Sequence, residues 1–354
     1  MDILVLEGDG IGPEVTAATV SCLEWLNHRR NLGLVLTRRA IGFASLEASG
    51  STLPDEVIEA ARKADGIVLG PVSTADYPPR EQGGRNPSGD LRRLLDLYSN
   101  IRPSRAHAGL PAVKPAMDLV VVRENTEGFY ADRNMFAGSG EFMPTSDVAL
   151  SVRKITRAAS RRITETAFRM ATKRRGRVTA LHKGNVLRLT DGLFLEEVEA
   201  VARAYPAVTL DDLHIDAAVS ELVRRPERFD VVLTTNMYGD IVSNLTAELS
   251  GGLGMASALN AGDRHAAAQA AHGSAPDIAG KDLGNPVGLM LSTAMLLDWL
   301  AERHGRPELR DAGAALSAAV EATLATPATR TADLGGKLGT RAFGQAVIER
   351  LGQE

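Results

Sequence analysis

Two polar side chains in the stretch NMYGDIVSN, residues 236–244, have the types and the spacing of metal ligands. A helix that begins near Gly239 would place Asp240 and Asn244 one turn apart on the same face. Carboxylate and carboxamide oxygens are ligands that Mg²⁺ and Mn²⁺ accept. The stretch therefore predicts a metal site to which this helix supplies one charged and one neutral oxygen ligand.

Three arginines lie near the ends of separate predicted elements: Arg92 in LRR, Arg102 in NIRP and Arg123 in VVRENTEGFY. The planar guanidinium of arginine is suited to bidentate carboxylate binding. A single arginine is more often a surface residue, so these positions alone leave open both an anion site and a solvated surface.

The motif GDGIGP at residues 8–13 follows the first predicted strand and offers a helix N-terminus to an anion. It is not the G-x-G-x-x-G fingerprint, and the next predicted strand, in LVLTRRA, ends in arginines where the fingerprint requires an acidic ribose ligand. We therefore expect a tight turn between strand and helix, and not an ordinary dinucleotide-binding Rossmann fold.

Short β-branched runs alternate with longer segments of helical period, which predicts an α/β protein with a mostly parallel sheet. LVVVRE, RVTALHK and FDVVLTTN are each expected to form a buried strand that ends in polar residues, where α/β sheets place their chemistry. The segment 131–146 is polar and contains glycine, so it is predicted to be a loop or a protruding hairpin.

Composition limits the classes of protein that fit. A length of 354 residues with 44% hydrophobic content predicts a globular protein of two lobes. The net charge of −4 and the dispersed basic residues give no nucleic-acid footprint. The single cysteine, Cys22, excludes an internal disulfide. The sequence shows no N-terminal apolar segment of the length of a signal peptide or a membrane span, so we expect a cytoplasmic protein without membrane partners.

Several longer stretches together resemble the isocitrate and isopropylmalate dehydrogenase family, the metal-dependent β-decarboxylating dehydrogenases. The resemblance implies a two-domain fold of the isopropylmalate dehydrogenase type, with residues 1–97 and 251–354 in a cofactor-binding domain. Residues 98–250 would form a second domain with the dimer interface and an intersubunit arm that begins within 131–146. The matching stretches, in family order, are GDGIGPEV, LDLYSNIRP, VVRENTEGFY, LHKGNVL, RPERFDVVLTTNMYGDI, GGLGM, HGSAPDIAGKDLGNP and DLGG.

The resemblance also implies a role for individual residues. Tyr130 and Lys183 would be the proton-transfer pair. The substrate would be held by Arg92, Arg102, Arg123, Asn86, Ser88 and Asn185, and Mg²⁺ or Mn²⁺ by Asp216, Asp240 and Asn244. Lys183 and Asp216 would come from the neighbouring subunit, so the active unit would be a homodimer with shared sites. Relatives usually carry aspartate at the position of Asn244.

The loop HGSAPDIAG, residues 272–280, matches the segment that wraps the adenosine half of the dinucleotide in this family. The implied cofactor-binding residues are His272, Gly273, Ser274, Ala275, Asp277, Ile278 and Asn285. A carboxylate at Asp277 accepts hydrogen bonds from a ribose diol and repels a 2′-phosphate, which favours NAD over NADP. NADP-using relatives tend to carry lysine and tyrosine at this pair. Upstream, AQAAHG replaces the commoner FEPVHG.

Substrate choice is expected to depend on the segment GGRNPSGDLRR before Arg92. Isopropylmalate enzymes line this position with leucines, but Ser88 and Gly89 offer little apolar surface to an alkyl group. Isocitrate enzymes have S-x-N here, whereas Asn86 and Ser88 present the two types in reversed order. The predicted reaction is NAD-dependent oxidative decarboxylation of a 3-substituted (R)-malate, isocitrate or homoisocitrate first. The alternatives are a 3-isopropylmalate, malate or tartrate dehydrogenase, or a non-catalytic relative that binds the same ligands.

Overall fold

The computed structural model describes residues 1–107, 109–130, 135, 138 and 140–353, which divide into two compact units. Unit 1 comprises residues 1–91, 107–111 and 251–354, and unit 2 comprises residues 92–106 and 112–250. These compact units are bounded at 91/92 and 250/251. The domain bounds expected from the sequence, 97/98 and 250/251, stay a prediction. The short segment 107–111 belongs to unit 1, although no sequence pattern predicts this.

Five strands of unit 1 lie side by side and are flanked by helices. The strands run in the order β2, β1, β3, β12, β11, and every pair is parallel except β11 with β12. Its strands are β1 (Asp2–Leu6), β2 (Val35–Arg39), β3 (Gly66–Leu69), β11 (Leu259–Ala261) and β12 (Ala266–Gln269). Its helices are α1 (Gly12–Arg30), α2 (Phe43–Ser49), α3 (Asp55–Lys63), α9 (Val287–His304), α10 (Pro307–Ala325) and α11 (Thr340–Leu351), while α4 (Pro87–Leu94) crosses the division.

Five strands of unit 2 lie side by side in the order β4, β5, β10, β8, β9, and every pair is parallel except β4 with β5. Its strands are β4 (Ser99–Arg105), β5 (Asp118–Glu124), β8 (Arg177–His182), β9 (Thr209–His214) and β10 (Val231–Thr234). Its helices are α5 (Arg157–Thr172), α6 (Thr190–Ala202), α7 (Ile215–Arg224) and α8 (Asn236–Ser250).

The three runs LVVVRE, RVTALHK and FDVVLTTN contain β5, β8 and β10, as predicted. Their side chains are buried on both faces, which explains the continuous apolar pattern of parallel strands. Val121, Leu181 and Val232 of these strands pack with Leu222 of α7 and Leu249 of α8 in one buried cluster. This core fixes α8, and with it the stretch NMYGDIVSN, against the sheet of unit 2.

A separate two-stranded sheet consists of β6 (Glu141–Thr145) and β7 (Val148–Ser151). Every residue of both strands is exposed, including the paired Phe142 and Leu150. A lone hairpin with exposed apolar side chains is marginally stable in water. Within the segment 131–146, which was predicted to be a loop or a protruding hairpin, Glu141–Thr145 forms the first strand of this hairpin. Residues 131–134, 136, 137 and 139 lie outside the described residues.

Candidate active site

One face of α8 contacts two buried arginines of unit 2. Asn236, Asp240 and Asn244 follow one another at four-residue spacing and so stack on the same face. Arg123 donates from Nε and Nη2 to Oδ1 of Asn236, at 3.0 and 2.6 Å, and its Nη1 pairs with Oδ1 of Asp240. Arg102 Nη2 lies 3.4 Å from the same Asp240 oxygen, and its Nη1 donates to Oδ1 of Asn244 at 3.3 Å. The helix face thus carries oxygen acceptors for both guanidinium groups.

The charge of this cluster favours an anion. The side chains of Arg102 and Arg123 are 8% and 5% exposed, whereas that of Asp240 is 36% exposed. Burial, and then repulsion by Arg123, lowers the pKa of Arg102 to about 10, and burial lowers the pKa of Arg123. A guanidinium with a pKa near 10 is still charged at neutral pH. Two cations then face one carboxylate, which leaves positive charge to bind a substrate carboxylate.

Glycine is required at position 239 for this arrangement. A Cβ on Gly239 would lie 2.5 Å from Cγ and 2.7 Å from Cβ of Arg123. Any larger residue would therefore push the arginine off the helix face. No sequence motif predicts these roles of Asn236 and Gly239. The four-residue spacing of Asn236, Asp240 and Asn244 is the signal that could have identified Asn236.

Tyr130 and Arg92 are also placed in unit 2. Tyr130 is half-buried, at the end of the stretch VVRENTEGFY that also carries Arg123. Arg92 donates to Oδ1 of Asn125 at 3.3 Å, and the buried Asn125 donates in turn to the carbonyl of Leu97 at 2.8 Å. Asn125, itself held by the backbone, thus orients the side chain of Arg92.

Lys183 and Asp216 form a second group. Lys183 follows β8, and its Nζ donates to Oδ1 of Asp216 in the first turn of α7, at 2.6 Å. This hydrogen bond is the main cause that lowers the pKa of Asp216, which is exposed. Asn185, two residues after Lys183, is exposed. Within one chain the two predicted metal carboxylates therefore have different cationic partners: Lys183 for Asp216, and the two arginines for Asp240.

The glycine-rich turn after β1 is occupied by contacts within unit 1. The amides of Asp9 and Ile11 donate to the carbonyls of Pro71 and Ser274, each at 2.8 Å. A Cβ on Gly10, which has a φ of 58°, would lie 2.0 Å from the Ser274 carbonyl oxygen. These amides are not available to a phosphate, in agreement with the prediction of a tight turn.

The same contacts hold the predicted cofactor loop. Besides its carbonyl, Ser274 uses its hydroxyl, which lies 2.7 Å from that of Ser73. Ala275 has a left-handed backbone with a φ of 41° and leads into a short 3₁₀ turn, Pro276–Ile278. The side chain of Asp277 in that turn is exposed. The loop is thus anchored at Ser274 and presents Asp277 outward.

His272 and Asn285 differ in how their polar atoms are used. His272 Nδ1 lies 3.0 Å from the carbonyl of Gly273, and Nε2 is buried with no hydrogen-bond partner among the described residues. Burial lowers the pKa of His272, so the ring is neutral and Nε2 is left as an acceptor. Asn285 instead accepts from the amide of Val287 at 3.0 Å and donates to Asp333 at 2.9 Å. Its side chain caps the start of α9.

The predicted substrate residues of unit 1 also have protein partners. Asn86 accepts from the amide of Gly89 at 2.9 Å and so caps α4. Ser88 donates to Oε1 of Gln269 at 2.9 Å, which is the residue of AQAAHG that replaces a glutamate. Arg85 pairs with Asp55 and Asp90 at 2.9 and 3.0 Å.

Comparison with known proteins identifies the family. The model of the isocitrate/isopropylmalate dehydrogenase family matches residues 2–347. The chain is 41% identical over 351 residues to an isocitrate/homoisocitrate dehydrogenase of Thermus thermophilus, covering 99% of this chain and 98% of that protein. It is 42% identical over 352 residues to a 3-isopropylmalate dehydrogenase of Archaeoglobus fulgidus, covering 99% of each.

The chain belongs to the isocitrate/isopropylmalate dehydrogenase family. The crystal structure of isocitrate dehydrogenase from Methylococcus capsulatus agrees with this assignment, with a TM-score of 0.87 at 35% identity and 99% coverage of both chains. The predicted family and fold class are thereby confirmed, and the chain is an oxidoreductase of this family. Among the described residues, no helix is long and apolar enough to cross a membrane.

The residues of this family member fit the groups that the family binds. Asp216, Asp240 and Asn244 offer hard oxygen donors of the kind that Mg²⁺ and Mn²⁺ prefer, although the described residues contain no group of three His, Cys, Asp or Glu placed to hold a metal. The buried Nε2 of His272 lacks a donor, which the amino group of an adenine could supply.

Proposed function

We propose that this enzyme catalyses NAD-dependent oxidative decarboxylation of a 3-substituted (R)-malate to a 2-oxo acid and CO2. The observation that carries the proposal is the helix face of α8, on which Asp240 and Asn244 stand beside the buried Arg102 and Arg123. This arrangement combines oxygen ligands for a divalent cation with cations for substrate carboxylates. A malate carries a 2-hydroxyl next to a carboxylate, so it offers an oxygen ligand to the divalent cation and carboxylates to the arginines.

The chain supplies the proton transfers of the reaction. Lys183, in its neutral amine form, would take the proton of the 2-hydroxyl. A dinucleotide held by the loop of His272 and Asp277 would supply the hydride acceptor for C2. The bond between C3 and its carboxylate then breaks, and its electron pair forms an enolate with the 2-oxygen. A bound Mg²⁺ or Mn²⁺ supplies Lewis-acid stabilisation of that charge. Tyr130 protonates C3 of the enolate, which completes the 2-oxo acid.

NAD is proposed over NADP because of Asp277. Its carboxylate is exposed and makes no hydrogen bond within the described residues, so it is free to accept from a ribose diol. The neutral Nε2 of His272 supports adenine binding in the same loop. A 2′-phosphate would face the negative charge of Asp277 at short range.

The polar pair of Ser88 and Gln269 supports a polar 3-substituent. Their hydrogen bond occupies the region where isopropylmalate enzymes place leucines, so little apolar surface is available to an alkyl group. Isocitrate and homoisocitrate are the first candidates. Arg85 is paired with Asp55 and Asp90, so we assign it no role in binding the substituent. Malate and tartrate are the second candidates.

A homodimer with shared sites is proposed because two observations suit it. The apolar side chains of β6 and β7 are exposed in the single chain, and Asp216 and Asp240 have separate cationic partners. Replacing Phe142 with aspartate should dissociate the dimer in light-scattering measurements. The matched control, Val35→Asp at an exposed apolar position of β2, should leave the mass unchanged. A monomeric wild-type protein would contradict the proposal.

A panel of 2-hydroxy acids tests the activity. Isocitrate, homoisocitrate, malate, tartrate and 3-isopropylmalate are each assayed with NAD or NADP and with Mg²⁺ or Mn²⁺, by the absorbance of the reduced dinucleotide. We expect metal-dependent reduction of NAD with an acid that carries a polar substituent. Binding of these ligands without any turnover would instead identify a non-catalytic relative.

A further inference from the structure

The backbone at Lys183 is held by a buried carboxylate that belongs to another element. Lys183 opens an exposed loop before α6, in which Val186 and Leu189 are 65% and 88% exposed. Such a loop has little packing of its own to fix the lysine. Asp191, in the first turn of α6, accepts a hydrogen bond from the Lys183 amide at 2.6 Å. This contact ties the start of the loop to the body of unit 2.

Asp191 is in turn held by Arg153. The carboxylate is fully buried, and the arginine side chain is 7% exposed. Arg153 Nη1 pairs with Oδ1 of Asp191, while its two terminal nitrogens also donate to the hydroxyls of Thr190 at 2.8 Å and Thr235 at 3.0 Å. A buried ion pair with further hydrogen bonds from the same guanidinium group has a strongly preferred geometry. The acceptor of the Lys183 amide is therefore fixed in position.

Arg153 joins three parts of unit 2 at this point. It lies two residues beyond Ser151, the last residue of β7. Its guanidinium lies 5.3 Å from the ring centroid of Tyr238 in α8, and Thr235 directly precedes that helix. The end of the hairpin, the loop of Lys183 and the start of the helix that carries Asp240 thus meet at one ion pair.

We propose that Asp191 is a positioning residue for Lys183, fixed by Arg153, that sets the lysine backbone for proton transfer. The proposal rests on the proposed role of Lys183 as the proton acceptor. It assigns to Asp191 the hydrogen-bond acceptor at the Lys183 amide, and it assigns to Arg153 the neutralisation and orientation of that acceptor.

The test separates the acceptor from the charge. Replacing Asp191 alone would leave the buried Arg153 without its counterion and unfold the protein. Arg153→Met is therefore combined with either Asp191→Asn or Asp191→Leu. The first double variant keeps a carbonyl acceptor for the Lys183 amide, and the second has similar volume without one. The readouts are kcat, KM for NAD and the exchange rate of the Lys183 amide hydrogen.

A closely similar ion pair serves as the control. Asp230 is 1% exposed, pairs with Nε of Arg174 at 2.8 Å and accepts from the amide of Arg175 at 3.0 Å. Arg174→Met is therefore combined with Asp230→Asn or with Asp230→Leu. Like Asp191, Asp230 pairs with an arginine and accepts from a backbone amide, but that amide belongs to Arg175, outside the loop of Lys183.

We expect the Asp191→Leu double variant to show a kcat at least about tenfold below that of the Asp191→Asn one, with KM for NAD little changed and faster exchange at Lys183. The two control variants should share one kcat. Equal kcat and equal exchange in the two Asp191 variants would overturn the proposal, as would an equal loss in the controls. If the wild type turns over no acid, the proposed function fails, and the exchange rates alone still decide whether Asp191 holds Lys183.

Discussion

Arg123 and Asp240 form an ion pair in which the arginine side chain is 5% exposed and the carboxylate 36% exposed. The buried partner is thus fixed, and the exposed partner keeps an accessible oxygen. Since Arg102 approaches the same Oδ1 atom from 3.4 Å, Asp240 stands between two cations in the single chain. A substrate carboxylate could pair with the two arginines while a metal cation binds Asp240. We therefore propose that the reaction takes place here.

Asn244→Asp should tighten binding of Mg²⁺ or Mn²⁺ to the free enzyme by about tenfold, or roughly 1.4 kcal/mol. The change adds a carboxylate one turn from Asp240, where Oδ1 of Asn244 now accepts from Arg102. Calorimetric titration with the metal alone measures the effect. Asn31→Asp, at an exposed position after α1, is the control for added charge. Unchanged metal affinity in an active Asn244→Asp enzyme would exclude position 244 from the metal site.

The specificity constant should be higher for NAD than for NADP. Replacing Asp277 with lysine and Ile278 with tyrosine should reverse the ratio, because the carboxylate that repels a 2′-phosphate becomes a cation. Asp277→Asn, which keeps an acceptor but not the charge, should fall between the two. Equal use of both dinucleotides by the wild type would count against the role of Asp277.

Shared sites predict that two inactive subunits restore activity when mixed. Lys183→Ala and Arg123→Ala proteins are exchanged in equal amounts, after light scattering has shown that each is a dimer. Random exchange should restore roughly a quarter of the wild-type activity, because half of the dimers are hybrids with one complete site of two. Mixing Lys183→Ala with Lys183→Met should restore none. No recovery in demonstrated hybrids would mean that each chain builds its own site.

Glu127 should make stability depend on pH. Burial, and then the charge of Glu124, raises the pKa of Glu127 from 4.5 to about 7, although Thr156 donates two hydrogen bonds of 2.9 Å to it. The folded protein holds this proton more tightly than the unfolded chain does. The carboxyl therefore contributes stability below pH 4.5 that is lost as the pH rises through about 7.

Thermal unfolding of the wild type and of Glu127→Gln measures this contribution. Since glutamine does not titrate, the stability of the wild type relative to the variant should fall between about pH 5 and about pH 8, by on the order of 2 kcal/mol. A difference that stays constant over this range would show that Glu127 does not change its protonation there.

The sequence predicted the parts of the fold that depend on local pattern. The runs LVVVRE, RVTALHK and FDVVLTTN contain β5, β8 and β10, because apolar and β-branched side chains suit strands that are buried on both faces. The start of α8 was predicted near Gly239 but lies at Asn236. Gly239 is glycine because Arg123 crosses the helix there, and not because a helix starts at that residue.

Contacts between residues that are far apart in the sequence could not be predicted from local sequence patterns. Arg153 and Asp191 are separated by 38 positions, and neither lies in a motif that singles it out. Ser88 was a candidate substrate residue from its place before Arg92, but only the structure shows that it donates to Gln269. Such pairings depend on how elements pack, which the periodicity of one segment does not encode.

The ratio of CO2 released to dinucleotide reduced tests the central claim most directly. The best acid of the panel is incubated with NAD and Mg²⁺ or Mn²⁺, with and without a chelator, and both products are measured in the same sample. The account predicts equal amounts of CO2 and reduced NAD, and neither product after chelation or with Lys183→Ala. Reduction of NAD without release of CO2, or equal turnover in the presence of the chelator, would contradict it.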